Sequence, residues 1–313
     1  MKPLTRSSLI LVLVLGAPFF FIGGPDYHDS RSFKCLWDLG HILFFTLASF
    51  GLCDFFSMGE KEFSPGAIFW RIFSLVFCLG LSVELIQGFL SGRSPSGFDL
   101  LRNQFGSILG CMLFASWKNM LPIHYKRIMY AGTMPVLLLF LWPLSRAVID
   151  EQEAAHQFPV LSDFETRFEF RRWQHVDQLT TVDNPVRHGS RAMRVQLSTQ
   201  KYSGTGLFYF PRDWSGYEWL HFSVFRQDDE EMSLYARIHD VFHKKHGRAY
   251  SDRYHTRFNL KKGWNDCKIS LRDVRYAPAD REMDMHKIES FAIFVVSQKH
   301  PRIIFLDHVY LSN

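Results

Sequence analysis

The polar residues best placed for chemistry lie in two apolar runs joined by a short polar turn. Glu84 and Gln87 are one helical turn apart in the first run, and Asp99 and Asn103 are one turn apart in the second. Arg93 lies in the turn between them. Two helices packed as a hairpin would gather these five side chains at one end. Ionisable groups at membrane depth are costly and indicate a functional site, although single polar residues at helix ends also act as caps or reach the head groups.

Two more polar residues are expected at the same depth. Asp38 and His41 are three residues apart at the start of another apolar run. Together the seven side chains suit acid–base chemistry on a polar head group, and Arg93 suits a phosphate. The candidate catalytic residues are Glu84, His41, Asp38 and Asp99, and the candidate polar-pocket residues are Gln87, Arg93 and Asn103.

Five apolar runs indicate that the first half of the chain lies in a membrane. They cover residues 8–25, 39–56, 67–92, 101–117 and 128–146, each close to the ~20 residues that a transmembrane helix needs. Basic residues precede the first run and separate the fourth from the fifth: Lys2, Arg6, Lys118, Lys126 and Arg127. Because short cytoplasmic loops are rich in Lys and Arg, the N-terminus is predicted inside and everything after residue 150 outside.

The charge distribution separates the two halves of the chain. Residues 1–150 contain 12 Lys/Arg and 9 Asp/Glu, whereas residues 151–313 contain 24 and 22. The second half is therefore predicted to be a soluble domain with its own core. The net charge of +5 is too small and dispersed to indicate a nucleic-acid partner. Cys267 is alone in the second half, which argues against a disulfide scaffold there.

The motifs of the first half resemble those of the VanZ-like family of small bacterial membrane proteins. The motifs are Asp38-x-x-His41, Glu84-x-x-Gln87, Gly92-Arg93 and Asp99-x-x-x-Asn103-x-x-Gly106-x-x-x-Gly110. The resemblance covers about residues 8–117, and Leu39 stands where the family usually has lysine. It implies a helical domain in the bacterial inner (cytoplasmic) membrane and a relation to glycopeptide (teicoplanin) resistance proteins. It implies no particular reaction.

The second half alternates short apolar runs with turn residues. After a polar linker at 147–160, runs such as MSLYARIHD, TRFNL and FAIFVV are separated by Gly, Pro, Asn and Asp. This pattern predicts an antiparallel β-sandwich. The predicted organisation is a transmembrane domain at 1–146, the linker, and an extracytoplasmic all-β jelly-roll sandwich at 161–313.

This half also resembles the galactose-binding-like jelly rolls found in carbohydrate-binding modules. The matching segments are DFE at 163–165, HGSRAMRV at 188–195, DWSGYEWLHFSVF at 213–225, LKKGWNDCKISL at 260–271 and IIFLDHVYL at 303–311. The resemblance implies glycan binding and a possible structural calcium ion between the first and last strands. Glu165 and Asp307 occupy the matching positions, and backbone carbonyls would complete the oxygen ligands that calcium requires.

Strand alternation predicts which face of the sandwich meets a glycan. In MSLYARIHD the apolar residues alternate with polar ones, as they do in RYHTRFNL. A face with a tyrosine ring and charged donors suits sugars, which have an apolar C–H face and hydroxyl edges; an ordinary solvated face is the equal alternative. The predicted glycan-binding residues are Tyr235, Arg237, His239, His255 and Arg257.

The sequence as a whole predicts a membrane-anchored cell-envelope protein that binds glycan. The outward-facing pocket of the helical domain would hold a membrane lipid, a lipid-linked glycan or a surface polysaccharide. The alternative is a membrane enzyme that uses Glu84, His41 and Asp99 as acid and base on a glycolipid or phosphate head group. The histidines at 239, 243, 246 and 255 do not have the spacing of the usual zinc sites, so a solvated loop is favoured there.

Overall fold

The computed structural model describes residues 3–26, 29–59, 64–90, 95–174 and 178–313. The chain divides into two compact units, Met1–Ala147 and Val148–Asn313. The first unit is helical and the second is predominantly β. The helices are α1 (Pro3–Gly16), followed by a 3-10 helix (Ala17–Phe20), then α2 (Arg31–Gly59), α3 (Pro65–Gln87), α4 (Gly97–Trp117) and α5 (Ile123–Gln157).

Three helices in the described part of the chain are long and apolar enough to cross a membrane. They are Arg31–Met58, Pro65–Gln87 and Ile123–Gln157. Five spans were expected. The first apolar run forms a shorter helix, Arg6–Phe20. The fourth forms α4, which carries Asp99, Arg102 and Asn103 in its first two turns.

Helix α4 packs closely on α2 through two glycines. A Cβ atom added at Gly106 would lie 2.6 Å from the Ile42 carbonyl oxygen, and one at Gly110 would collide with the Thr46 carbonyl oxygen. Both glycines therefore lie against α2 rather than against α3, the partner of α4 in the predicted hairpin. On the α3 side the close approach is at Gly80, where an added Cβ would lie 2.8 Å from Asn103 Nδ2.

The second unit is a sandwich of two antiparallel sheets. Its strands are β1 (Val160–Ser162), β2 (Leu179–Val182), β3 (Ala192–Leu197), β4 (Tyr202–Leu207), β5 (Trp219–Arg226), β6 (Met232–Asp240), β7 (Tyr254–Leu260), β8 (Gly263–Ser270), β9 (Ile288–Val296) and β10 (Arg302–Ser312), with the short helix α6 (Leu271–Arg275) after β8. Sheet A has the order β2-β3-β10-β5-β8, with β1 also paired to β10, and sheet B has the order β4-β9-β6-β7. Large apolar side chains such as Trp173, Trp214, Phe222 and Phe291 fill the core. The predicted all-β sandwich is confirmed.

The predicted linker at 147–160 is mostly the end of helix α5. The helix continues to Gln157, and its residues from Val148 onward belong to the second unit. Asp150 and Ala154, one turn apart, are buried there. The polar residues that suggested a linker therefore form an amphipathic end of a helix, with one face in the core of the second unit.

Candidate functional site

His41 connects α2 to α4 at the centre of the helical polar cluster. Its Nδ1–H donates to Asn103 Oδ1 at 2.8 Å, and its Nε2 lies 3.9 Å from Asp99 Oδ2. His41 and Asn103 are both buried. One imidazole is thus held between a carboxamide and a carboxylate, which is an arrangement that can accept and return a proton.

Arg102 joins this cluster, and sequence reasoning missed it. Its guanidinium pairs with Asp99 on the same helix and lies 3.1 Å from Asp38 on α2. The three-residue spacing between Asp99 and Arg102 places both side chains on one helical face and could have revealed the pair.

Helix α3 contributes Glu84 and Gln87 to the same end of the bundle. Glu84 Oε2 accepts the Ser96 backbone N–H at 2.6 Å, whereas Oε1 has no hydrogen-bond partner among the described residues. The amide of Gln87 donates to the Phe20 carbonyl oxygen at 2.7 Å, and the Phe20 ring is 4.9 Å from the His41 ring. Glu84 is only 6% exposed, so its free oxygen is an acceptor shielded from water.

The structure therefore brings together six of the seven residues predicted for the helical site. The seventh, Arg93, lies outside the described residues. Their roles in binding or catalysis stay predictions. The cluster combines three carboxylates, one guanidinium and one imidazole, so it contains both proton acceptors and cations within a small volume.

Three aromatic rings cross the outer face of sheet B. Tyr235 on β6 stacks on Phe294 of β9, with ring centroids 5.7 Å apart and an angle of 19° between the planes. Tyr202 on β4 meets the same Phe294 edge-on at 5.9 Å and is 60% exposed. We call these three residues the ring platform. It spans three neighbouring strands, or about 10 Å at the usual strand separation.

Cationic side chains border the ring platform. Arg257 is the register partner of Tyr235, and His255 is the register partner of Arg237. His255 and Arg257 are exposed, and Tyr235 and Arg237 are half-buried. Four of the five predicted glycan-binding residues therefore share this face, as the alternation in β6 and β7 predicted.

His239 differs from the other four residues because it is buried. Its Nε2 lies 3.5 Å from Glu289 Oε2, and its ring lies 4.7 Å from the ring of His243. Burial lowers the pKa of His239, an effect that the hydrogen bond to Glu289 only partly offsets. We therefore exclude His239 from the candidate face, because its ring lies against Glu289 and His243 and is only 9% exposed.

The sequence reasoning missed two of the three platform residues. Phe294 lies in FAIFVV, an apolar run that resembles a strand buried on both faces. Period-two alternation within that run could have identified it, since Phe291, Ile293 and Val295 are buried while Phe294 is half-exposed. Tyr202 lies at the start of β4, beside two glycines of the same strand.

Histidines and carboxylates near β6 form an ion-pair network. Arg281 pairs with both Asp240 and Asp252, and His243 Nδ1 lies 3.1 Å from Asp252 Oδ2. Hydrogen bonds from Arg281 lower the pKa of Asp252 despite its partial burial. No group of three or more His, Cys, Asp or Glu side chains in the described ranges could hold a metal ion. The network is a structural link between β6 and the two loops that carry Asp252 and Arg281.

The two residues predicted to bind calcium both hold the loop at 187–191. Glu165 accepts backbone N–H groups from Ser190 at 2.6 Å and Arg191 at 2.8 Å, and Asp307 Oδ2 accepts that of Arg187 at 2.7 Å. Burial raises the pKa of Glu165, but these hydrogen bonds outweigh it and leave the pKa lowered. Burial dominates at Asp307 and raises its pKa, and its Oδ1 has no partner among the described residues.

The donor set at these two carboxylates fits calcium poorly. Calcium takes six to eight oxygen ligands, whereas the loop presents N–H groups to both carboxylates. Asp307 Oδ1 is the oxygen that remains for a cation. A bound calcium ion would require the loop to turn carbonyl groups toward Glu165 and Asp307.

No protein-family model matches this sequence, and no curated protein does. Among solved structures, the C-terminal half is similar to a family 11 carbohydrate-binding module from Clostridium thermocellum in complex with a β-1,3-1,4-mixed-linked tetrasaccharide (16% identity, 49% of this chain and 94% of that chain, TM-score 0.36). It is also similar to an exo-β-agarase, with 14% identity over 49% of this chain and 24% of that chain (TM-score 0.38). A third similar structure is a family 28 carbohydrate-binding module specific for non-crystalline cellulose, with 12% identity over 50% of this chain and 93% of that chain (TM-score 0.34). The VanZ-like resemblance of the helical unit stays a prediction from its motifs.

Proposed function

We propose that this chain is a membrane-anchored cell-envelope protein whose sandwich binds a glycan on the outer face of sheet B. The observation that supports this function is the ring platform with Arg237 and Arg257 beside it. A sugar ring has an apolar C–H face, which packs on aromatic rings, and hydroxyl groups, which accept hydrogen bonds from guanidinium groups. Both kinds of group lie on this face within four neighbouring strands.

Two glycines of β4 leave a groove beside the ring platform. Gly204 and Gly206 place no side chains beside the platform, and a side chain at Gly204 would collide with the β9 backbone. The resulting groove encloses about 320 Å³ and is lined by Tyr202, Arg237 and Phe294, among others. An elongated site of this kind suits a glycan chain that lies across the strands.

A glycan array with the full chain in nanodiscs tests this function. We expect a specific glycan to bind and Tyr235→Ala or Phe294→Ala to weaken binding about tenfold, since each removes a stacking partner from the centre of the face. Tyr276→Ala is the matched control, because Tyr276 is 58% exposed but is not part of the platform. Unchanged affinity in both platform variants would falsify the proposed face.

The helical unit is proposed to hold the protein in the bacterial inner membrane. Three helices have the required length and apolar character. The basic residues Arg6, at the start of α1, and Lys118, Lys126 and Arg127, at the end of α4 and the start of α5, support an inside N-terminus and a periplasmic or extracellular sandwich. In that orientation the polar cluster of the VanZ-like domain faces outward, where it would hold a lipid-linked or surface polysaccharide.

A membrane enzyme is the second candidate function. Two observations favour it: His41 is held between Asp99 and Asn103, and Glu84 keeps one buried oxygen free. Glu84 or His41 would act as acid or base, and Asp99 would orient the imidazole, on a glycolipid or phosphate head group. Glu84→Gln discriminates the two functions, since loss of a general base lowers turnover of the array-identified glycolipid about 100-fold or more. If the Glu84 carboxylate has a purely structural role, Glu84→Gln should instead lower the thermal midpoint of the protein.

A structural calcium ion between Glu165 and Asp307 also stays a prediction. The unpartnered Asp307 Oδ1 favours a cation there, and the N–H donors of the loop oppose it. Calcium would stabilise the loop at 187–191 and would take no part in glycan chemistry.

A further inference from the structure

An apolar groove lies between α1, the 3-10 helix Ala17–Phe20 and α2. It encloses about 330 Å³. Aromatic side chains form much of its wall: Phe19, Phe20, Phe33, Trp37 and Phe44. Because α2 is apolar and long enough to cross a bilayer, hydrocarbon chains rather than water would surround this groove in a membrane. An elongated aromatic-lined groove at that depth fits a lipid chain.

The groove has two polar residues at one end. His41 and Gln87 both line it. Behind His41 lie Asn103, at 2.8 Å from Nδ1, and Asp99, at 3.9 Å from Nε2. A molecule in the groove would therefore meet hydrocarbon along most of its length and the helical polar cluster at its end.

The charge of that cluster limits what the polar part of the molecule can be. Among the described residues, three carboxyl groups, those of Asp38, Glu84 and Asp99, outnumber the one guanidinium, that of Arg102, which pairs with Asp38 and Asp99. Glu84 is more than nine-tenths buried, and its Oε1 has no partner among the described residues. A cation with N–H donors would be attracted to this end of the groove.

We propose that this groove binds one chain of an amine-bearing phospholipid, with its ammonium group at the His41 and Gln87 end. The ammonium group would supply N–H donors to Glu84 Oε1, which has no partner among the described residues. A quaternary ammonium carries the same charge but has no N–H to donate, and a glycerol head group has no positive charge. The inference goes beyond glycan binding by the sandwich and does not depend on it.

Lipid selection by the full chain tests the proposal. The protein is placed in nanodiscs with equal amounts of phosphatidylethanolamine, phosphatidylcholine and phosphatidylglycerol of identical chains, and retained lipid is measured by native mass spectrometry. We expect phosphatidylethanolamine to be enriched about tenfold over each of the others. Equal retention of the three lipids, or preference for phosphatidylglycerol, overturns the proposal.

Two glycines provide a matched pair of variants for the groove. Gly40 lines the groove, and no heavy atom lies within 4 Å of a Cβ added there. Gly40→Leu should fill the groove and abolish the enrichment, with Gly40→Ala as a milder change if the leucine variant does not fold. Gly132→Leu is the control, because Gly132 on α5 has equally open space and does not line the groove. Enrichment that survives both Gly40 variants contradicts the proposed site.

A charge variant separates chain binding from head-group selection. Glu84→Gln should remove the preference for phosphatidylethanolamine over phosphatidylcholine while the total amount of bound lipid stays the same. A preference unchanged by Glu84→Gln rules out recognition of the ammonium group by this cluster. Glycan retention by the same preparations reports on the sandwich alone, so a failure there is distinguishable from a failure of the lipid site.

Discussion

Arg172 is the largest charged side chain in the core of the sandwich unit. Its Nε donates to Asp150 Oδ1 at 3.0 Å, and its Nη1 donates to the Leu161 carbonyl oxygen at 3.2 Å. Arg172 and Asp150 are both fully buried. The pair connects the end of α5 to the first strand region, and each charge depends on the other because neither reaches water.

Removing one member of this pair should strongly destabilise the sandwich unit. Arg172→Met leaves the Asp150 carboxylate buried without its counter-charge, which costs about 3–5 kcal/mol of unfolding free energy. Thermal unfolding of the full chain, followed by tryptophan fluorescence, measures the loss.

The double variant Asp150→Ala/Arg172→Met is the control for this prediction. It removes Asp150 together with its counter-charge and leaves only buried Glu169, which also interacts with Arg172, without the guanidinium, so we expect a clearly smaller loss than in Arg172→Met alone. An equal or larger loss in the double variant would show that packing, rather than charge compensation, sets the cost.

At the scale of elements, a row of stacked rings crosses the outer face of sheet A. His188 stacks on His308 at 4.1 Å, His308 on Tyr310 at 4.2 Å, and His221 on Tyr310 at 4.7 Å. The register of β10 shifts between Asp307 and Tyr310, and His308 has a φ of 50°. The bulge turns the His308 ring into the row. To do so, His308 adopts a left-handed backbone conformation, which is uncommon for residues other than glycine.

Two imidazoles of this row, those of His221 and His308, have lowered pKa values. Burial lowers the pKa of His221, with a further decrease from Lys268. Burial also lowers the pKa of His308, with a further decrease from the adjacent His188. The charged or titratable groups that act on these two rings are Lys268, His188, Asp163 and Asp266. Protonation would place like charges in contact, because the rings are stacked.

The pH dependence of stability follows from these lowered pKa values. A histidine whose folded-state pKa lies below its unfolded-state pKa of about 6.5 contributes to the stability of the folded state. This contribution is complete when the pH is above the unfolded-state pKa. This contribution is lost as the pH falls through the lowered folded-state values. We expect the thermal midpoint of the sandwich unit to fall between about pH 7.5 and pH 5, and the double variant His221→Gln/His308→Gln to reduce this fall.

His246→Gln is the control for the pH experiment, since His246 is exposed and lies outside the row. It should leave the pH profile unchanged. Some slope should remain in the double variant because the pKa of buried His239 is lowered as well. If the thermal midpoint of the double variant falls with pH as steeply as that of the wild type, other groups cause the pH dependence.

At the scale of the whole molecule, the chain joins a unit of apolar helices to a charged sandwich unit. The difference in composition corresponds to the division between Ala147 and Val148. Charged residues are concentrated in the second unit because water solvates its surface, whereas the helices of the first expose apolar side chains such as Trp70 and Leu139.

The proposed topology predicts which side of the membrane trypsin must be on to cleave the sandwich. Lys244, Lys245 and Arg248 are exposed in the turn between β6 and β7, so trypsin added to spheroplasts should cut there. In inside-out vesicles the same bonds should be protected, and the first turns of α5, with Lys126 and Arg127, should be accessible instead. Cleavage after residue 244 only in inside-out vesicles would show that the topology is the opposite of the one proposed.

Several features could be predicted from the sequence because local pattern determines them. Apolar runs located all five helices of the first unit, and alternation in β6 and β7 placed Tyr235, Arg237, His255 and Arg257 on one face. The spacing of Glu84, Gln87, Asp99 and Asn103 placed them at one end of the helices. Each of these follows from helix or strand periodicity within a few residues of chain.

Other features required the tertiary structure because they depend on partners distant in sequence. His239 continues the alternation of β6 but is buried by Glu289 and His243. Phe294 joins Tyr235 only because β9 pairs with β6. Gly106 and Gly110 have helical spacing, but this spacing alone does not determine whether α2 or α3 packs against them. The sequence determined the elements and the residues on each face, and tertiary packing decided which faces meet, since that choice depends on contacts between distant parts of the chain.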